Sequence, residues 1–207
     1  MILLSEPGQA AAEELSAIDR IRNAAMKILA THGASGTSLR AVAAAAGVSL
    51  GSVQHHFATK AGLVKAVDDW ALAVVVTAIT QPIPDSAPDS VAEIGHRVTR
   101  MIAEQPEIAD YIGRALIDGR PVGDMIFDSL LNSGMARWHR RSERGETRAD
   151  LDLTWAAINS LVLALGALMM RSHIERHLPE PFTSPAQLER WQGSVNSLLR
   201  EGLFKQQ

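Results

Sequence analysis

The sequence predicts an all-α fold, and three observations support this. Only 4% of the 207 residues are aromatic, whereas alanine and leucine recur in runs. Apolar residues return every three or four positions along most of the chain, as one face of a helix requires. Alternating β-branched stretches bounded by turns are absent from the sequence. The length suits two helical domains without a third.

The first helix is expected over residues 16–32, where one stripe of apolar side chains can face a core. The stripe consists of Ile18, Ile21, Ala25, Ile28 and Leu29. Residues 1–15 are expected to form a flexible arm, since their short apolar start has neither the basic region nor the length of a signal peptide. Gly33 and Gly36 bound the connection to the next element.

Residues 37–57, TSLRAVAAAAGVSLGSVQHHF, predict two short helices joined by a tight turn. Thr37 or Ser38 can accept a first-turn hydrogen bond as a cap, and Ser49 can do the same for the second helix. Gly47 lies where the chain must leave the first helix, a position that favours a left-handed backbone. The segment is typical of a helix-turn-helix that binds DNA.

The outer face of the second of these helices would carry small and hydrogen-bonding side chains, namely Gly51, Ser52, Gln54 and His55. Such side chains allow close approach to the base edges of a major groove. However, a bare helix, glycine and helix pattern fits a hairpin that binds nothing equally well. The residues on either side therefore decide between the two interpretations.

The flanking residues favour DNA. Thr59 can cap a following helix, and Lys60 in its first turn opposes the helix dipole unless a phosphate lies nearby. Residues 16–65 carry six basic side chains against one acidic, although the whole chain has a net charge of −3. A locally basic module on an acidic chain indicates nucleic-acid binding at that module.

These residues resemble the DNA-binding domain of the TetR family of bacterial transcriptional regulators. The resemblance covers about the first 65 residues and rests on fixed spacings in order: the first helix, Thr37-Ser38, Ala-Gly-Val-Ser at 46–49, Gly51, His56-Phe57 and Lys60. It implies that the helix after Ser49 enters the major groove. A tyrosine commonly stands at the position of Gln54 in that family, so this chain departs from the pattern there. Gln54 can still donate to a phosphate or read an adenine edge.

The candidate DNA contacts form three groups. The base-facing side is expected to comprise Ser49, Gly51, Ser52 and His55. The contacts to the DNA backbone are expected from Thr37, Ser38, Gln54 and Lys60. Arg40 could reach a phosphate or remain a solvated surface charge.

The second domain, residues 66–207, is expected to be helical, to bind an effector and to dimerise. A helix continues from residue 59 to about 80 and would connect the two domains. Cap, glycine and proline signals then predict helices over residues 90–105, 106–118, 122–144, 150–177 and 184–204.

The helix over residues 150–177 is apolar on nearly all sides between Ile158 and Met170, so it must be covered on two sides. Together with residues 184–204 it would form a symmetric four-helix interface, two helices from each subunit. The resemblance implies the same homodimer, bound to a near-palindromic operator. The alternative is that this helix is the centre of a monomer's core.

The middle helices are expected to enclose an apolar, adaptable ligand cavity. Its candidate lining residues are Trp70, Met101, Tyr111, Met125, Phe127, Trp138, Trp155 and Asn159. Its possible polar anchors are His96, Arg97 and Arg114.

No cofactor or metal is expected. His173 and His177 have the spacing of two metal ligands but lack a third, so a solvated helix end explains them better. The basic stretch from Arg137 to Arg148 could be a second nucleic-acid patch, although cations are favourable at a helix C-terminus in any case. No membrane span is expected, because residues 155–170 fall short of the roughly 20 that a bilayer requires.

The sequence therefore predicts a sequence-specific transcriptional repressor that a small apolar effector releases from its operator. A transcriptional activator and an effector-independent DNA-binding protein are the alternatives. An enzyme is not expected, because the sequence has no phosphate loop or nucleophile elbow. The absence of cysteine is compatible with a reducing cytoplasm, where we expect the protein to be.

Overall fold

The computed structural model describes residues 7–83 and 90–203, which form helices and no extended strand. The all-α prediction is confirmed. The helices of the described residues are α1 (Pro7–Gly36), α2 (Leu39–Ala46), α3 (Leu50–Phe57), α4 (Lys60–Thr80), α5 (Ser90–Glu104), α6 (Pro106–Ile117), α7 (Pro121–Glu143), α8 (Leu153–Met169), α9 (Arg171–Glu175) and α10 (Pro185–Leu203).

The chain divides into two compact units, Met1–Ala71 and Leu72–Gln207. The division falls inside α4, six residues beyond the expected boundary at residue 65. Within the described part of the first unit, α2 packs against both α1 and α3. Its core is apolar and comprises Ile21, Ala25, Met26, Leu29, Val42, Val53, Leu63 and Val67.

The first helix is longer than the sequence predicts. It begins at Pro7, so residues 7–15 are helical where a flexible arm was expected, and residues 1–6 lie outside the described residues. The run of alanine and glutamate over residues 10–14 favours helix, which explains the difference. Gly33 interrupts α1 near its end with φ 68° and ψ 179°.

In the second unit, α8 packs against α6, α7 and α10, and α10 packs against α5. Trp138 of α7 forms a buried cluster with Ala156 and Ala157 of α8. The small alanine side chains leave room for the indole ring, so the two helices can approach closely.

The prediction of one helix over residues 150–177 is wrong. The helix ends at Met169, and a separate short helix, α9, follows Met170. At the break Met170 has φ −97° and ψ 10°. Beyond it, the guanidinium of Arg171 contacts Asp110 of α6 and also donates to Glu175 Oε1 at 2.9 Å, which anchors the short helix. Glu175 in turn accepts from the backbone N–H of Phe182 at 3.0 Å, which holds the chain in its new direction.

Candidate nucleic-acid interface and effector cavity

Two neighbouring hydroxyls fix the start of α2, and they have different roles. Ser38 is the cap, because its Oγ accepts from the backbone N–H of Ala41 at 3.1 Å. Thr37 is only 3% exposed, and its Oγ1 donates to the carbonyl of Gly33 at 2.8 Å. Thr37 thus ties the end of α1 to the start of α2, and Ser38 is the more exposed of the two.

The turn between α2 and α3 is a Schellman motif. Gly47 has φ 65° and ψ 36°, and its N–H donates to Ala44 O at 3.3 Å. The N–H of Val48 donates to Ala43 O at 3.0 Å, which satisfies a second carbonyl of the last turn. A side chain at Gly47 would meet no atom within 4 Å, so the backbone conformation, and not crowding, requires glycine here.

The third helix is held by its cap and by one buried side chain. Ser49 Oγ accepts from the N–H of Ser52 at 3.0 Å, and Val53 is fully buried. On the other side of α3, Gly51, Gln54 and His55 are exposed. Ser52, His56 and Phe57 are half-buried. The predicted outer face therefore exists, with three exposed positions that a DNA groove could meet.

The connection from α3 to α4 is unusually tight. Ala58 has a positive φ of 52°, and the N–H of Thr59 donates across it to Phe57 O at 2.5 Å. A Cβ on Gly62 would lie 2.5 Å from the same carbonyl oxygen, so only glycine fits there. Thr59 Oγ1 caps α4 by accepting from the N–H of Gly62 at 3.0 Å. The turn fixes the direction in which α4 leaves α3.

Basic side chains of this unit are partly committed to internal contacts. Arg22 pairs with Asp19 at 2.6 Å and lies over the ring of Trp70, with its Cζ 4.1 Å from the centroid. Lys60 Nζ donates to Ser35 O at 3.3 Å, which places its ammonium beside the α1–α2 connection. Arg40 is exposed in the first turn of α2, next to the Ser38 cap.

The second unit contains a cavity of about 140 Å³. Its lining comes from α4, α5, α6, α7, α8 and α10 and is mainly apolar. Its apolar lining includes Ile79, Met101, Ile112, Trp138, Leu161, Leu165 and Trp191. The polar side chains that line it belong to Arg137, Arg141, Ser160, Gln192 and Asn196.

The structure places two of the eleven predicted effector contacts, Met101 and Trp138, at this cavity. The other nine do not line it. Trp70 lies in the first unit beneath Arg22, and Tyr111 is buried with its hydroxyl accepting from Arg120 at 2.7 Å. Four more of the predicted residues are exposed, namely His96, Met125, Trp155 and Asn159. Phe127 is half-buried on α7 and does not line the cavity.

The two remaining predicted anchors form ion pairs outside the cavity lining. Arg114 donates to Asp118 Oδ2 at 2.8 Å. Arg97 is buried, donates to Glu93 Oε1 at 2.8 Å and donates to the carbonyl of Gln81 at 2.7 Å. Each carboxylate lies within one helical turn of its arginine. The ion pair within the helix therefore determines the position of each arginine side chain.

Sequence reasoning missed all five polar cavity residues, which are Arg137, Arg141, Ser160, Gln192 and Asn196. Helical spacing could have found Arg137, since it follows Leu130 by seven residues and therefore shares its inward face. The stretch from Arg137 to Arg148 is not one basic patch. Arg137 and Arg141 line the cavity, and Arg148 pairs with Asp150 at 2.9 Å.

The last long helices expose apolar side chains. Trp155 and Val162 of α8 are 58% and 52% exposed, and Leu198 of α10 is 59% exposed. Three of the exposed positions of α8, namely Trp155, Asn159 and Val162, form one stripe along the helix. Large apolar side chains exposed on one stripe are typical of a surface that another molecule covers.

Within the described residues, no helix has both the length and the apolarity to cross a bilayer. The same residues contain no group of three or more histidine, cysteine or acidic side chains placed to hold a metal ion. His173 instead lies against Arg176, with 3.1 Å between its Nδ1 and the guanidinium Nη2.

A capped helix, a Schellman turn and a second capped helix with an exposed outer face define a helix-turn-helix domain. Residues 21–67 match the family model described as bacterial regulatory proteins, tetR family. Over these residues the chain is similar to the DNA-binding domain of the TetR family.

Known proteins agree with this assignment. Over 126 residues the chain is 31% identical to the HTH-type transcriptional regulatory protein RaaS of Mycobacterium tuberculosis. The alignment covers 58% of this chain and 54% of RaaS, so the chain spans about half the length of that curated relative.

Solved structures extend the likeness over both units. SmeT, the repressor of the Stenotrophomonas maltophilia multidrug efflux pump SmeDEF, has a TM-score of 0.70 at 18% identity, over 91% of this chain and 90% of SmeT. NalD, the secondary repressor of the MexAB-OprM multidrug efflux pump in Pseudomonas aeruginosa, has a TM-score of 0.67 at 16% identity, over 93% and 98%. At these identities the likeness establishes the fold.

Proposed function

We propose that this protein is a homodimeric transcriptional repressor that binds a near-palindromic DNA operator in the bacterial cytoplasm and leaves it when a small molecule fills the cavity. The observation that carries the proposal is the exposed outer face of α3, held by the Ser49 cap and the Gly47 turn. RaaS is a helix-turn-helix transcriptional regulator, and SmeT and NalD are repressors, which supports the same role here.

The roles of individual DNA contacts follow from exposure. Gly51, Gln54 and His55 are fully outward and would meet base edges, while Ser49 and Ser52 lie at the N-terminus of α3, where backbone N–H groups favour a phosphate. Ser38, Arg40 and Lys60 would hold the DNA backbone on either side. Buried Thr37 would act through the α1–α2 connection.

A double variant, Gly51→Glu with Ser52→Glu, tests this assignment. The nearest atom to a Cβ at Gly51 is 3.7 Å away, and glutamate three residues after the Ser49 cap completes a capping box, so α3 should remain folded. Two carboxylates facing the DNA should weaken binding at least about a hundredfold. The measurement is fluorescence anisotropy with a duplex that the wild-type protein has selected from random-sequence DNA.

Met125→Glu is the control for added charge, because Met125 is exposed on α7, outside both the DNA-binding unit and the proposed dimer interface. It should leave DNA affinity unchanged. If the double variant stays folded and keeps salt-sensitive, sequence-specific binding, α3 is not the recognition helix.

Effector control is supported by α4, which contributes to both units. Leu63 and Val67 are buried in the first, whereas Val75 and Ile79 line the cavity in the second. A ligand in the cavity would shift the population between two spacings of the paired α3 helices, and B-form DNA accepts a spacing of about 34 to 36 Å or a multiple of it. Activation in place of repression would follow if the operator lay where a bound dimer assists the promoter.

We propose that α8 and α10 form the dimer interface, as predicted for residues 150–177 and 184–204. The exposed apolar side chains of Trp155, Val162 and Leu198 support this. Val162→Glu should convert dimer to monomer in sedimentation equilibrium, because it places a charge in a desolvated interface. Met125→Glu, an equally exposed apolar position on α7, should not change the oligomeric state. If the Val162→Glu variant dimerises with wild-type affinity, the interface lies elsewhere.

A binding role also suits the cavity better than catalysis. Among the described residues that line it, the polar groups are two arginines, two amides and one hydroxyl, with no carboxylate or imidazole. General acid and base chemistry most often uses those two groups.

A further inference from the structure

The cavity in the second unit has a cationic wall. Arg137 and Arg141 lie one turn apart on α7, and both line the cavity. The guanidinium of Arg141 lies over the ring of Trp138, with its Cζ 4.8 Å from the centroid. Most of the remaining lining is aliphatic or aromatic, so the cavity combines an apolar body with a positive end.

The arginines around this wall differ in whether the partner of the guanidinium is a carboxylate or a neutral group. Arg97 is paired with Glu93, and Arg141 donates to Ser90 Oγ through Nη2 at 2.5 Å. Arg137 donates from Nη1 to Ser133 Oγ at 2.7 Å, which is a neutral acceptor. In the part of the chain that the structure describes, Arg137 has no carboxylate partner.

Burial, together with the positive charges of Arg141, Arg140 and Arg97, lowers the pKa of Arg137 to about 10. Arg137 therefore remains a cation at neutral pH. A partly buried cation surrounded by other cations is unfavourable unless an anion binds beside it.

We propose that the effector is a small organic anion with an apolar body, and that its carboxylate pairs with the guanidinium of Arg137. This inference rests on the proposed effector role of the cavity. The planar guanidinium can donate two parallel hydrogen bonds to a carboxylate. The volume, about 140 Å³, suits a body of roughly one benzene ring, since an apolar cavity of about 150 Å³ holds benzene.

Phenylacetate and phenylacetamide form a probe pair of nearly equal shape that differs in charge. Isothermal titration calorimetry on the full chain should show phenylacetate binding at least about tenfold more tightly than the amide. The preference should disappear in Arg137→Gln and persist in part in Arg137→Lys, which keeps the charge without the planar fork. Arg140→Gln, which removes an exposed cation from the same helix, should keep it.

Thermal unfolding without ligand separates a ligand-binding arginine from a structural one. Arg137→Gln should unfold at the wild-type temperature or above, because it removes an unbalanced charge. Phenylacetate should raise the unfolding temperature of the wild type and not of the variant. The proposal is wrong if Arg137→Gln unfolds well below wild type, if the preference survives the substitution, or if neither probe binds at millimolar concentration.

DNA binding, measured in parallel, distinguishes this proposal from the proposed function. A wild-type protein that binds DNA specifically but shows no preference for phenylacetate would leave the regulator standing and reject the anion site. If phenylacetate binds but does not change the DNA affinity, the anion site exists but is not an effector site. A wild-type protein without specific DNA binding would reject the proposed function, whatever calorimetry shows.

Discussion

The two units carry their candidate sites in opposite places. In the first unit the site is a surface, and each part of it is fixed by a cap or turn within about 25 residues of chain, from Ser38 to Gly62. In the second unit the site is an interior space whose lining runs from Val75 to Leu199. Local backbone chemistry therefore specifies the first site, and long-range packing specifies the second. Substitutions that remove packing contacts should destabilise the second unit most. Substitutions that disturb backbone geometry should destabilise the first unit most.

Trp138→Ala should have the largest effect. The indole is 3% exposed and packs on Ala156 and Ala157. Its removal should cost about 3 to 5 kcal/mol in the free energy of unfolding. Urea denaturation gives the loss, and amide hydrogen exchange should place it in peptides from α7 and α8. Met125→Ala, at an exposed position on α7, should cost under about 0.5 kcal/mol. Equal loss of protection in α2 and α3 would show that the units do not differ as described.

Gly62→Ala should have the next largest effect, and it should act on the first unit. The new Cβ would lie 2.5 Å from Phe57 O, so the turn after α3 must open. The expected cost is about 2 to 3 kcal/mol, as for overpacking elsewhere. Denaturation and DNA anisotropy should both register it, since the end of α3 moves. A variant with wild-type stability would show that the turn can relax freely.

Gly47→Ala and Gly51→Ala should change stability in opposite directions. At Gly47 the positive φ makes alanine unfavourable by about 1 to 2 kcal/mol. At Gly51 the backbone is helical and uncrowded, so alanine should stabilise by about 0.5 to 1 kcal/mol. Thermal unfolding of the two variants side by side measures the difference. The same sign for both would mean that the turn is not the left-handed one described.

Ser49→Ala should destabilise the protein by about 1 kcal/mol, because it removes one cap hydrogen bond. Its effect on DNA affinity should exceed that of Ser184→Ala, which removes the corresponding cap from α10. The comparison uses chemically identical changes in the two units. If the two variants bind DNA with equal affinity, the cap of α3 does not contribute to DNA binding.

The contrast between local backbone chemistry and long-range packing also explains which features could be predicted from the sequence. Gly47 and Ser49 could be predicted, and the first cap could be narrowed to Thr37 or Ser38, because caps and left-handed turns depend on a few neighbouring residues. Eight of the nine predicted DNA contacts lie at exposed or half-buried positions, and the ninth, Thr37, is buried. Which of them touch DNA stays a prediction.

The cavity could not be predicted residue by residue. Trp70 lies on α4, and a helix with apolar side chains on several faces does not indicate which of those faces meets which neighbour. The same ambiguity applies to Trp155 and Asn159 on α8. Helix existence followed from periodicity, whereas the short helix after Met170 is anchored to Asp110, some 60 residues away in sequence.

The way α3 is held has an evolutionary consequence. The interior face of this helix and its cap stabilise it, while Gly51, Gln54 and His55 are exposed on its outer face. Substitutions at these positions can accumulate with little loss of stability. A lineage of such proteins could therefore acquire new target sequences one substitution at a time, without first gaining compensating mutations.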